Sequence, residues 1–188
     1  MAVHAGSTIH GTGVCPIAEE TIVNMSAIQK IPVNEKIRAR REELKLSDID
    51  LARSTRLSIY EYGDVEQHSD EIHLVVPLYH VKKICEVLRL PFLELFGFPC
   101  AFCGEGVPHH DDYWLSRSSL VERRRKALGI SIDELGDRAG FKGLEMRNVE
   151  TYTAHLESWA IDNILELSAA LQIPGQVLLD IRCPRCGR

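Results

Sequence analysis

The chain carries the same segment twice, and each copy ends in the same CxxCG knuckle. One copy runs from about Val33 to Gly104 and the other from about Ser116 to Gly187. With Ser47 placed over Ser131, 84 residues downstream, Arg41 falls on Arg125, Leu44 on Leu128, Leu51 on Leu135, Glu61 on Glu145, Val65 on Val149 and Glu66 on Glu150. Further along the spacing shortens to 83, and Pro91 falls on Pro174, Cys100 on Cys183, Cys103 on Cys186 and Gly104 on Gly187. A duplication of this kind lets one chain imitate a two-fold dimer, and two CxxCG ends can close one four-thiolate site.

Each copy has about 70 residues, near the lower size limit for a self-sufficient core, so a metal staple or packing between the copies would support both. Hydrophobic residues make up 45% and charged residues 26%, the balance of an ordinary water-soluble globular chain. No apolar run approaches the roughly 20 residues that span a bilayer. Met1 to Gly13 lacks the basic start and apolar core of a signal peptide. Six cysteines without an export signal point to a reducing compartment, where CxxC pairs are metal ligands or redox sites more often than disulfides. The expectation is a cytoplasmic, nucleoid-associated protein with no membrane partner.

A net charge of −5 is not the basic footprint of a strong nucleic-acid binder. The charge is uneven, however. Val33 to Gly104 holds 10 Lys/Arg against 12 Asp/Glu, and Ser116 to Arg188 holds 11 against 10. The second copy is therefore the better placed of the two to meet phosphates.

Residues 1–32 read as a leader, glycine-rich at Gly6, Gly11 and Gly13, with Ile17 to Ile31 apolar enough for a short helix or strand that docks on a repeat; a partly ordered tail is the alternative. Repeat one, 33–104, begins with a helix over Asn34 to Leu44. Ser47 suits the N-cap of a second helix, Asp48 to Ser54, whose first-turn acids favour the helix dipole. Ser58 caps a third through Gln67. A polar stretch, Gln67 to His73, follows, then a helix opened by Pro77 with Val81, Ile84, Cys85 and Leu88 at helical spacing, and a short one from Pro91 to Phe96. Residues 105–115 form a linker. Repeat two, 116–188, reuses the plan, with Ser131 as a cap, Gly140 in a turn, and helices over Lys142 to Thr151 and Trp159 to Leu171. No strand is expected.

The pattern Ser47-x-x-x-Leu51-Ala52, Leu57-Ser58, Tyr62, Val65-Glu66 resembles the Cro/XRE-type phage-repressor helix-turn-helix family. Repeat two carries it as Ser131-x-x-x-Leu135-Gly136, Gly140-Phe141, Met146, Val149-Glu150. The likeness covers about 65 residues of each copy. It implies an all-α fold of two tandem five-helix repressor-like domains with a four-cysteine metal-knuckle site. Ala52 and Gly136 would let the two motif helices approach closely, and Gly140 would support a left-handed turn. Arg56 stands at that position in repeat one, so its turn is expected to differ. Leu51, Leu57, Tyr62 and Val65 read as core.

In this family the third helix lies in the major groove and its N-terminal half reads bases. The resemblance carries that role to Ser58, Ile59, Tyr60, Glu61 and Asp64 in repeat one, and to Lys142, Gly143, Leu144, Glu145, Arg147 and Asn148 in repeat two. Repeat one's helix offers three acids, Glu61, Asp64 and Glu66, and no base, which opposes phosphate binding. Lys142, Arg147 and Asn148 are types that pair with phosphates, guanine or adenine, so repeat two is the expected DNA reader. The basic first helices, with Arg38, Arg40 and Arg41 and with Arg123, Arg124, Arg125 and Lys126, are either phosphate clamps or solvated faces paired with Glu42, Glu43 and Glu122.

Cys100-x-x-Cys103-Gly104 and Cys183-Pro184-x-Cys186-Gly187 look like zinc-ribbon or rubredoxin-type knuckles. Two residues between cysteines let both sulfurs face one ion, and the following glycine lets backbone N–H groups approach the thiolates. The expectation is one zinc ion held by both knuckles; iron also suits four thiolates, and knuckles of different subunits in a homodimer are the alternative geometry. A thioredoxin-like dithiol would need a helix N-terminus after a strand, which this context lacks. His109 and His110 read as linker surface, Cys85 as core, and Cys15 has no assigned role.

No spacing of Ser, His and Asp predicts a catalytic triad and there is no phosphate-binding glycine loop, so an enzyme is not expected. Two function classes remain. One is a sequence-specific transcriptional regulator that binds double-stranded DNA at an imperfect repeat or palindrome. The other is a protein-interaction adaptor acting on RNA polymerase or another regulator.

Overall fold

The first helix of each half carries an arginine that reaches a glutamate 25 residues on, and this pair sets the local architecture. In the computed structural model, which describes residues 31–103 and 115–187, helix α1 (Val33–Glu43) lies beside α3 (Ile59–Gln67) and α7 (Arg117–Ala127) beside α9 (Gly143–Thr151). Arg41 Nε and Nη2 meet Glu66 Oε1 and Oε2 at 2.6 and 2.9 Å, while Nη1 donates to Leu46 O at 3.1 Å. Arg125 repeats the fork on Glu150 at 2.5 and 3.0 Å and donates to Ile130 O at 3.0 Å.

Between these partners sit α2 (Asp48–Thr55) and α8 (Ile132–Ala139). Their starts are set by Ser47 and Ser131, whose hydroxyls accept from Asp50 N and Glu134 N at 3.1 Å each. Ser58 and Glu61 form a reciprocal capping box at the start of α3, with Ser58 N donating to Glu61 Oε2 at 2.7 Å. The first half then continues through α4 (Glu71–Leu74), α5 (Leu78–Leu88) and α6 (Phe92–Phe96). The second continues through a 3₁₀ turn (His155–Ser158), α10 (Ile161–Leu171) and α11 (Gly175–Leu178). Proline stands at the N-cap of α1, α5, α6 and α11, as Pro32, Pro77, Pro91 and Pro174. Among the described residues there are eleven α-helices and no strand, and no helix is long and apolar enough to cross a membrane.

Two expectations change. The polar stretch before Pro77 contains the helix α4, with Ile72 fully buried. The turn at Arg56 does not differ from that at Gly140: both are left-handed, at φ 61° and 76°. The repeat register extends to three more such turns, pairing Lys45 with Gly129, Arg89 with Gln172 and Gly97 with Asp180, all at positive φ. The backbone thus holds its conformation where the side chain has ceased to favour it. The leader, Cys15, Gly104, the linker with His109 and His110, and Arg188 lie outside the described residues.

The buried positions follow the same register. Ile37, Leu51, Tyr62, Val65, Ile72 and Ile84 match Val121, Leu135, Met146, Val149, Leu156 and Leu167, and all twelve are at most 1% exposed. They belong to one apolar cluster shared by both halves. The halves meet through two reciprocal contacts, α4 against α10 and the 3₁₀ turn against α5. The 3₁₀ turn is the counterpart of α4, and α5 of α10, so this is an isologous arrangement within one chain. Leu78 N donates to Trp159 O at 2.8 Å across it, and Glu157 accepts from both Lys82 (2.8 Å) and Arg117 (2.6 Å).

Glu66 has a third partner that Glu150 lacks. The buried Tyr62 hydroxyl donates to Glu66 Oε1 at 2.5 Å, whereas repeat two has Met146 there. Burial alone would push the Glu66 carboxyl up, but hydrogen bonds from Arg41 and Tyr62, with the charges of Arg41 and Arg38, hold it below the ordinary glutamate value of 4.5. Its stabilising contribution is therefore complete above pH 4.5 and is lost as pH falls through the lower folded value. Glu66→Gln leaves Arg41 charged and unpaired, and should cost on the order of 3 kcal/mol in urea unfolding while removing this part of the acid dependence. Gly136→Ala provides a second check. A Cβ there would lie 2.6 Å from Phe141 O, a backbone atom that cannot step aside, so a loss of about 1–3 kcal/mol is expected.

Candidate metal centre

The two knuckles, 80 residues apart along the chain, come together. Cys103 Sγ lies 3.5 Å from Cys183 Sγ, and Cys100 Sγ lies 3.8 Å from Cys186 Sγ. All four sulfurs are within 4.8 Å of one another, and none is in a disulfide. The repeat register exchanges Cys100 with Cys183 and Cys103 with Cys186, so the two close pairs are images of each other. The site therefore sits on the pseudo-two-fold that relates the halves. A tetrahedral ion with metal–sulfur bonds of about 2.3 Å spaces its ligands about 3.8 Å apart. The cluster matches that spacing and could hold a metal ion.

Helices α6 and α11 deliver the knuckles. Each knuckle folds its backbone onto its own first sulfur: Phe102 N donates to Cys100 Sγ at 3.3 Å and Arg185 N to Cys183 Sγ at 3.4 Å. Gly187 closes the second with φ 73°, its N–H donating to Cys183 O at 2.9 Å. One bond breaks the symmetry. Ala101 N donates to Gln176 Oε1 at 2.9 Å, but its counterpart is Pro184, which has no N–H.

Electrostatics favour a cation. Backbone N–H groups of Cys186 and Arg185 draw the Cys183 thiol down to about 6, and crowding by Cys100, Cys183 and Cys186 pushes Cys103 up to about 12. Four thiolates in this space repel one another, and a bound divalent ion offsets that repulsion. Cys85, by contrast, is packed against the apolar cluster and pushed up to about 12 by burial. It is not part of the centre.

The residues expected to meet DNA fare unequally. Arg41 and Arg125 are turned inward onto Glu66 and Glu150: each side chain is about seven-eighths buried and forked on a carboxylate. Glu66 is likewise not an acid facing outward. Arg38 donates to Glu66 O. Arg124 donates to Gln172 O at 3.2 Å, near the C-terminal end of α10, as Arg40 does to Leu88 O at 3.0 Å near that of α5. Lys126 pairs with Glu122 at 2.6 Å. Arg40, Arg41, Arg124 and Arg125 thus tie the first helices to other parts of the fold, and Arg123 lies at the surface. Ser58 is spent on its capping box. Ile59 and Tyr60 are exposed on α3. In repeat two, Lys142 is the N-cap of α9, Leu144 and Arg147 are exposed, and Asn148 is half-buried. Gly143 lies against Asp133, whose Oδ1 would be 1.9 Å from an added Cβ.

Elemental analysis of purified protein should give one tightly held ion per chain. Cys183→Ser should lose it, and Cys85→Ser should keep it. Full metal content in Cys183→Ser would overturn the shared site.

Comparison with protein-family models, with curated proteins and with solved structures returned no match.

Proposed function

We propose that the protein is a sequence-specific DNA-binding regulator. In this reading its two halves are tandem Cro/XRE-like helix-turn-helix units, paired as a pseudo-dimer and fixed in angle by one zinc ion on Cys100, Cys103, Cys183 and Cys186. The second unit is the DNA reader. The observation that carries this is the orientation of α9. The Arg125–Glu150 fork ties its C-terminal half to α7, and its N-terminal half presents Lys142, Leu144 and Arg147 to solvent. A short helix held at one end, with an amphipathic basic surface at the other, is the form that enters a major groove. Arg147 and the half-buried Asn148 are types that read guanine or adenine edges, and Lys142 and Arg123 are types that pair with phosphate.

Zinc is the ion of this reading because closed four-cysteine shells are the usual form of structural zinc sites; the same shell suits iron. A structural ion at this place adds binding energy to the packing between halves that are each small.

The test is selection of genomic fragments by metal-loaded protein at two salt concentrations. Fragments sharing a motif should be enriched, with affinity falling as salt rises. Arg147→Ala should then cost about 1–3 kcal/mol and relax preference at one base position, and Lys142→Ala should weaken all sequences alike and lower the salt slope by about one. No enrichment from folded, metal-bound protein at low salt would sink the DNA reading and leave the adaptor.

A further inference from the structure

Repeat one presents a different surface at the place where repeat two carries Lys142, Leu144 and Arg147. The register sets Ser58 against Lys142, Tyr60 against Leu144, Gly63 against Arg147 and Asp64 against Asn148. Both cations are gone and an amide has become a carboxylate. Three large apolar side chains are exposed in the same region: Tyr60 at 83%, Ile49 at 55% and Ile59 at 40%. The repeat register places them on one face. In repeat two the counterparts of Ile49 and Ile59 are Asp133 and Gly143, which nearly touch, so the shared register puts Ile49 beside Ile59, with Tyr60 next along α3. Asp48, Asp50, Glu61 and Asp64 are exposed around them. Arg53, within reach of Asp50, and Arg56, in the turn before Ser58, are the exposed cations of this segment, two against these four acids.

We infer that the Ile49–Ile59–Tyr60 face is a docking surface for a polypeptide segment that carries lysine or arginine on either side of an apolar anchor. An exposed aromatic with two isoleucines is the kind of patch that marks a protein contact, since a lone surface apolar residue needs no partner but a cluster does. The acidic rim selects the partner's charge and repels phosphate, so duplex DNA is the wrong occupant. The rim also keeps the patch from joining the apolar core of a neutral partner without cost. Tyr60 makes no contribution to the core, whereas Glu61 also caps its own helix through Oε2. This inference does not depend on repeat two binding DNA.

The experiment is selection of a displayed random-peptide library on the full-length, metal-loaded chain, with Tyr60→Asp protein as counter-selection. Peptides with basic residues flanking Trp, Phe or Leu should be enriched. A synthetic copy of one of them should bind less tightly as salt rises, and Tyr60→Ala should weaken it roughly 30-fold, the loss expected at a central aromatic anchor. Asp64→Lys should weaken it further and flatten the salt dependence; both positions are exposed, so the fold is retained. No enrichment over the counter-selection, or enrichment of acidic peptides, would overturn the inference. Two other results would also overturn it by naming another occupant. One is self-association of the wild type that Tyr60→Asp abolishes, which assigns the face to a second copy. The other is a drop in DNA affinity in Tyr60→Asp as large as that in Arg147→Ala.

Discussion

The arginine–glutamate fork, used once in each half, is the interaction on which the remaining geometry depends. It ties the first helix to the third and, through the Leu46 or Ile130 carbonyl, to the chain just before the second. One side chain therefore fixes three helices at once. A planar guanidinium is suited to this because it offers donors in two directions with a fixed angle between them, which a lysine cannot. The cost of desolvating the pair is offset only where the geometry is good, so both halves retain it whole. Repeat one reinforces it with Tyr62, and repeat two, with Met146 at that place, does without. The consequence for function is indirect: the C-terminal ends of α3 and α9 are immobilised and their N-terminal ends become platforms.

Those platforms have diverged while their supports have not. The buried positions of one half find apolar partners in the other nearly residue for residue, and the left-handed turns recur where lysine, arginine or aspartate stands opposite glycine, and where Arg89 stands opposite Gln172. Packing density explains the persistence, since a core position that changes volume is felt by all its neighbours. An exposed position has no such neighbours. Ser58 can face Lys142 and Gly63 can face Arg147 in the register without disturbing anything beneath. The duplication thus kept the scaffold symmetric and let the surfaces take opposite character, one apolar and acidic, the other apolar and basic.

The four cysteines stand at the junction of these two facts. They lie on the pseudo-two-fold, where a symmetric donor set comes from an asymmetric chain, and they join the ends that α6 and α11 deliver and that the Ala101–Gln176 hydrogen bond also links. The reciprocal packing of α4 on α10 and of the 3₁₀ turn on α5 already unites the halves. An ion at the knuckles would add a second tie close to the axis, which would constrain rotation of one half against the other.

Much of this was legible before any coordinates. The repeat register, the serine caps, the core spacing and the two CxxC knuckles all follow from local rules: a hydroxyl that satisfies orphan N–H groups, apolar residues at helical period, a turn that aims two sulfurs at one point. The α4 helix was overlooked although Ile72 and Leu156 keep the repeat spacing, because the polar residues around Ile72 mask a single buried side chain. What the sequence could not decide was which charges face out. Arg38, Arg41, Arg124 and Arg125 look like a basic surface when read along a helix, and become cross-links when the third helix and the helix C-termini arrive beside them. That outcome depends on contacts between residues 25 to 48 apart, and long-range placement of a flexible charged side chain is a property of the packed fold. Local pattern determined the helices, their caps and the ligand set; only tertiary structure decided which cations remained to meet a partner.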